Sequence, residues 1–333
     1  MILSAVKRAR SFFLIVALGS CTRQETGTSI EVEKAVDARD RGLVQIRGPD
    51  GVKRYGRRID GSIEEVLIVA LTSAEPQVAV LTGIASGRDQ GKMMVFSDRA
   101  ELLAEYRVSG KTPFPQHPLM ARGPGEVRRQ RQTPVLDQTT PFMFAGRRFV
   151  LLGTRGPWFP SAVVLLEATD RTTLEERMEF WNVGSVHFLQ IHGKYVVMAG
   201  RNNSLYDKAW SGALAIFDLE EILARKQIKG RAPNDATPRR PPAAVPYRMY
   251  FRLPTDGGYM NNWHSLRLDG DTLSARVESG LRYDVDLGSG NVTLEAEGLY
   301  AKEYEQRRKE DSSLPPLNDR LAGLKNAVSA WVR

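Results

Sequence analysis

Cysteine is almost absent from this chain: Cys21 is the single example in 333 residues. With that thiol engaged elsewhere, no disulfide can brace the fold and no cysteine can ligate a metal. Histidine is scarce too, at four residues, so a histidine-rich metal centre has few candidates. Catalytic signatures are missing as well: no G-x-S-x-G elbow, H-E-x-x-H helix, Walker A loop or strand-to-helix G-x-G-x-x-G occurs. Carboxylates adjoin at Glu64-Glu65 and Glu220-Glu221. Neighbours on a strand point to opposite faces, so neither pair can flank one bond. No helical period alternates with the strand-like runs, which argues against a parallel α/β sheet.

The position of Cys21 is informative. Lys7, Arg8 and Arg10 precede an apolar run from Phe12 to Leu18, with no acidic residue among the first 20. This is the charge, apolar and small-residue order of an export signal, and the run is too short to span a bilayer. It ends in Leu18-Gly19-Ser20-Cys21. The tetrapeptide resembles the lipobox of bacterial lipoproteins, which implies cleavage before Cys21 and a diacylglycerol on its thiol. Multiple acyl chains hold a protein durably at a membrane, because each buried methylene is worth about 0.8 kcal/mol. Thr22 stands where enterobacterial lipoproteins retained at the inner membrane carry Asp, so the resemblance implies the outer membrane. A plain secreted protein is the alternative.

The formal charge is +8, of which the three signal cations supply part, leaving about +5 on the mature chain. Basic residues cluster at 122–131 and 226–240, beside Pro and Gly, as solvated loops do. They suit anionic lipid heads or lipopolysaccharide phosphates. No basic face with interleaved aromatics is visible, so nucleic acid is not an expected partner.

Past a polar stretch, short β-type runs alternate with Gly, Asp, Asn and Pro. Examples are 65–71, 77–82, 92–96, 149–153, 162–166, 194–200 and 212–218. Four stretches, beginning at Gly91, Ser161, Gly212 and Gly280, share one form: a small residue, an apolar strand, a polar turn and a second strand. Three follow an earlier hairpin centred on a turn glycine: 142–153, 187–200 and 264–277. The last two align without a gap, His187 with His264 and Gly193 with Gly270.

Roughly four strands per unit of about 45 to 70 residues resembles a β-propeller blade of the WD40-like or quinoprotein-like kind. No WD dipeptide or finer family signature is present. The expected fold is all-β, a propeller of about four to six blades, with a large β-sandwich as the alternative. The expected divisions are a lipoprotein signal peptide (1–20), a lipidated tether (21–41), a propeller domain (42–298) and C-terminal helices (299–333). In the last of these, Leu317, Leu321, Leu324, Val328 and Trp331 form one apolar stripe at helical spacing, suited to docking on the propeller.

In a propeller the first strand of each blade lines the channel, so His187 and His264 should face one mouth of it. Trp181 and Asn182 precede the first, and Asn262 and Trp263 the second. Together these offer imidazole, amide and indole groups to a polar ligand. Arg201, Asn202 and Asp207 lie in a polar loop suited to a carbohydrate or peptide, though such residues also form ordinary turns. Two histidines do not make a metal set, and no catalytic residue, cofactor or metal is assigned. The expected function is a lipid-anchored envelope module that binds or scaffolds a protein or glycan. The alternative is an extracytoplasmic hydrolase or lyase acting on an envelope polysaccharide at the channel mouth.

Overall fold

Branched side chains suit the pleated backbone, and small polar residues supply the turns between them. That local chemistry dominates the protein. The computed structural model describes residues 29–33, 41–47, 54–60, 63–69, 71, 77–82, 92–108, 135–155, 161–182, 184–201, 210–231, 247–254 and 263–332. These form five predominantly antiparallel sheets and three helices, an all-β architecture.

Sheet I holds β1 (Ser29–Glu33), β2 (Arg41–Arg47) and β3 (Arg54–Asp60). Sheet II holds β4 (Ile63–Val69), β5 (Gln77–Thr82), β6 (Lys92–Phe96) and β7 (Leu102–Arg107). Sheet III begins with β8 (Val135–Phe144), β9 (Arg147–Arg155), β10 (Ser161–Ala168) and β11 (Leu174–Asn182). Sheet IV begins with β12 (Val186–His192), β13 (Tyr195–Arg201) and β14 (Trp210–Asp218). The chain then turns back before completing it. Helix α1 (Leu219–Leu223) leads to β15 (Ile228–Arg231), which pairs parallel with β11 on the edge of sheet III. Only afterwards does β16 (Tyr247–Pro254) supply the fourth strand of sheet IV. Sheet V follows as β17 (Trp263–Asp269), β18 (Thr272–Val277), β19 (Leu281–Asp286) and β20 (Val292–Ala296).

The expected hairpins form where the turn glycines stand. Gly193 and Gly270 take φ of 56° and 57°, a left-handed conformation that costs other residues about 1 kcal/mol or more. One outer hairpin does not form as expected. After β14, Asp218 accepts a hydrogen bond from the Glu220 amide at 2.9 Å, and this cap turns 219–223 into α1 instead of a strand. The stretch expected as a tether also differs. Ser29–Glu33 alternates apolar and polar residues and pairs with β2, Ile30 opposite Ile46 and Val32 opposite Val44.

At the C-terminus α2 (Gly298–Glu310) and α3 (Leu317–Ala327) pack on sheets IV and V through Tyr300, Tyr304 and Leu324. Leu317, Leu321 and Val328 join them, so most of the predicted stripe does dock. The helix ends before Trp331, however. Ser329–Val332 is β21, paired with the otherwise open edge of β16. An available sheet edge overrides the helical period there.

The core runs between sheets and not within one pair of them. In sheet IV, Val196, Met198, Ala213, Ala215 and Phe217 pack into the cluster shared with sheets II and III. The alternate residues Val197, Ala199, Leu214, Ile216 and Phe251 pack into the cluster shared with sheet V. Sheet II divides likewise: Ala79, Leu81, Met93 and Val95 face sheet III, while Val80, Met94 and Phe96 face sheet I. In β10 seven successive residues are buried. Five sheets in series, each packed on the next in chain order, therefore replace the two facing sheets of the sandwich alternative. The series is open among the described residues, because no hydrophobic cluster joins sheet V to sheet I.

Two-sided burial makes a direct prediction. Phe217→Ala and Phe251→Ala remove side chains from opposite faces of sheet IV, and each should cost about 3–5 kcal/mol. Denaturant unfolding checks this; a near-neutral effect at either position would mean that face is not buried.

Candidate functional site

The first strands of sheets II to V share a feature that the sequence hinted at in only two of them. In each, one extra residue interrupts the pairing with the second strand. In β12 the register passes from Val186 opposite Gly200 to Phe188 opposite Ala199, leaving His187 as the bulge. In β17 it passes from Trp263 opposite Val277 to Ser265 opposite Arg276, leaving His264. The aligned histidines thus occupy one structural position. The same step in β4 leaves Glu64, and in β8 it leaves Asp137. Bulges re-aim the local backbone and gather beside binding sites.

Two hydrogen bonds place three of these bulges at a common end. The Gln138 side chain in β8 donates to the Val186 carbonyl at 3.3 Å, beside the bulge of β12. The Trp263 indole in β17 donates to the Gly200 carbonyl at 3.0 Å, the residue opposite Val186. The N-terminal ends of β8, β12 and β17 therefore lie together. His187 is half-buried and His264 exposed.

The neighbouring site candidates are held within the protein. Asn182 is fully buried and donates to the Gly184 carbonyl at 3.0 Å. Its amide packs on Gly200: a Cβ there would stand 2.6 Å from Asn182 Nδ2 and 2.9 Å from the Ser185 carbonyl oxygen. A Cβ at Gly212 would stand 3.3 Å from the Gly200 carbonyl oxygen and 3.4 Å from the Trp263 indole nitrogen. Asn182, Gly200, Gly212 and Trp263 thus form one joint across sheets III, IV and V.

Trp181 turns elsewhere, its indole donating to Glu179 at 2.6 Å. Glu179 also faces Lys229 of β15 at 3.3 Å, and Lys229 reaches Glu176 at 3.4 Å. Nearby Glu176, foremost, raises the Lys229 pKa. Tyr106 of β7 donates to Glu176 at 2.7 Å, tying sheet II to sheet III. Burial, reinforced by that bond, holds the Tyr106 phenol far above its ordinary value. This group is a fastening between sheets.

His192, at the end of β12, lies 3.0 Å from Gln190 Oε1, and partial burial lowers its pKa. Arg201 ends β13, its backbone opposite Gly212. Asn202, Asp207 and Asn262 lie outside the described residues, as does Cys21. Among the described residues no three of His, Cys, Asp and Glu converge on a metal position. What the bulged ends can do is offer hydrogen-bonding and titratable groups at repeated intervals. Glu64 and Asp137 were not legible as equivalents of the histidines. Residues 70–76 separate β4 from β5, where the later sheets have a two-residue turn, and β8 is longer than its counterparts.

No protein-family model matches the chain, and no curated protein matches it significantly. Among solved structures the chain is similar to Sqt1 of Saccharomyces cerevisiae, with TM-score 0.43 and 8% identity over 81% of this chain and 58% of Sqt1. It is similar to BamB of Moraxella catarrhalis, with TM-score 0.38 and 10% identity over 79% of this chain and 63% of BamB. A computationally designed protein, Ika8, aligns with TM-score 0.31 and 11% identity over 75% of this chain and 70% of its own. The chain thus spans less than two thirds of Sqt1 and of BamB.

The joint is testable by two substitutions. Trp263→Phe should lower stability by about 1–3 kcal/mol, since it leaves the buried Gly200 carbonyl without its donor. Gly200→Ala should cost about 1–3 kcal/mol through overlap with Asn182 and the Ser185 backbone. Chemical denaturation measures both, and unchanged stability in either would remove the joint.

Proposed function

We propose that this chain is a lipoprotein of the bacterial envelope, anchored through Cys21 at the outer membrane, whose sheets are the blades of a propeller-type platform for a protein or glycan partner. The repeated bulge carries the platform reading: Glu64, Asp137, His187 and His264 take equivalent register positions in successive first strands. Such repetition suits a surface that a partner grips at several points. Rigidity supports it too, because sheets packed on both faces hold their edges in fixed relation. The blade reading is supported by four successive sheets of antiparallel strands, each with its first strand beside that of a neighbour, but ring closure between sheets V and I is part of the proposal. Binding is favoured over hydrolysis because the polar groups nearest the bulges serve the protein itself. Asn182 and Trp263 bond backbone carbonyls, and Trp181 bonds Glu179.

The anchor reading rests on Leu18-Gly19-Ser20-Cys21 after a basic and then apolar stretch. Cys21→Ser removes the acylation site and should move the protein from the membrane to the soluble fraction. Crosslinking in intact envelopes should then lose its partner bands. Membrane association that persists unchanged in Cys21→Ser would sink the anchor.

Partner binding has its own test. His187→Ala combined with His264→Ala should weaken partner crosslinking at least severalfold while leaving the melting transition near wild type, because His264 is exposed and His187 only half-buried. Full crosslinking by that double variant would remove the bulged ends from the interface.

A further inference from the structure

The outermost strands of sheets II to V are not finished alike. In sheet III the outer edge of β11 is taken by β15, and in sheet IV that of β16 by β21. Helices α2 and α3 lie beside β20 of sheet V. Sheet II ends at β7, and no described residue pairs with its outer side. That edge is held firmly without being covered, because Tyr106 donates to Glu176 of sheet III at 2.7 Å.

The side chains of β7 are sorted by face. Ala104, Tyr106 and Val108 pack into the cluster shared with sheet III, so Glu105 and Arg107 lie together on the other face, both exposed and 2.6 Å apart. Near its start the strand is irregular. Val95 stands opposite Ala104 and Phe96 opposite Leu102, which leaves Leu103 as a bulge. Regular backbone for a further ladder therefore runs from Ala104 to Val108. Charge and a bulge blunt an edge against indiscriminate pairing. A strand with the matching order of charges is still admitted.

Strand β7 has that order itself. In an antiparallel ladder directly opposed residues turn their backbone groups the same way, so two identical strands pair about a residue and never between two. Centring on Ala104 draws in the bulge, and centring on Glu105 sets two carboxylates against each other. Centring on Tyr106 opposes Glu105 to Arg107 of the second copy, and Arg107 to its Glu105.

We propose that β7 is a self-association edge, where a second copy of this chain adds its own β7 antiparallel about Tyr106. The contact spans only 104–108 of each copy, short of the roughly 1,000 Å² that a stable interface needs, so the dimer is weak and concentration-dependent. Its consequence rests on the platform reading: two joined copies hold one multivalent partner through two sets of bulged ends.

Sedimentation equilibrium of the mature chain carrying Cys21→Ser, which excludes a disulfide-linked pair through Cys21, should show a monomer–dimer equilibrium. On that background Arg107→Glu opposes glutamate to glutamate and Glu105→Arg opposes arginine to arginine, so each variant should dimerise at least about tenfold more weakly. Mixing the two should restore association, because each strand then meets the opposite charge. Arg171→Glu makes the same charge change at an exposed position elsewhere and should dimerise like the parent. Register has a separate readout that does not depend on the charge variants folding. Glu105→Cys mixed with Arg107→Cys should form the mixed disulfide ahead of either self-pair, since directly opposed Cβ atoms lie about 4.5–5.5 Å apart and diagonal neighbours stand farther off. A parent that stays monomeric overturns the proposal. So do a monomeric mixture of the charge variants, equal losses in Arg107→Glu and Arg171→Glu, or disulfides formed without preference. No partner enters these measurements, so full partner crosslinking by the histidine double variant removes the platform reading and leaves the dimer standing.

Discussion

Sheets II, III and IV carry apolar side chains on both faces, and a sheet of that kind cannot stand in water alone. Burying one such Val, Leu, Ile, Met or Phe is worth about 1.5–3 kcal/mol, so a bare face would forfeit several of these at once. Each middle sheet must be covered twice. Because alternate residues on β13 and β14 serve different clusters, the order of sheets along the chain becomes their order in space. The end sheets obey the complementary rule. On sheet V the strands alternate buried and exposed residues, with Arg267, Asp269 and Arg276 facing solvent.

Sheet edges are managed as carefully as sheet faces. The edge of sheet III is covered by β15, an excursion from the sheet IV segment, and the edge of sheet IV by β21 from the C-terminus. Helices α2 and α3 pack beside β20 and bury Tyr300, Tyr304 and Leu324. These additions fasten units that chain order alone would leave joined at one side. Lys229 completes the fastening by linking β15 to Glu176 and Glu179, and Tyr106 extends it to sheet II. Unpaired strand edges invite pairing with other chains, so covering them also guards against such association.

The candidate binding end depends on this framework. A bulge in one strand is a local irregularity, but the same bulge in four first strands becomes a pattern only because the sheets are stacked in register. Close contact at Gly200 and Gly212 lets Asn182 and Trp263 enter the joint, bringing the ends of sheets III, IV and V together.

Strands, turn glycines and the pairing of His187 with His264 were legible in the sequence because each rests on neighbours within a few residues. Gly193 and Gly270 are needed for a left-handed backbone whatever surrounds them, and a β-branched run favours extension wherever it sits. The Cys21 motif is likewise a linear signal. Other features required the folded chain. Glu64 and Asp137 became equivalents of the histidines only through strand register, which loops of unequal length conceal. The return of β15 to sheet III and the strand at Ser329–Val332 depend on open edges supplied by residues far away in sequence. Local propensity decides what a segment prefers to be, and it settled the β class and the hairpins. Partners distant in sequence decide which edge and which face that segment meets, so the order of packing and the common end of the bulges were decided by tertiary structure alone.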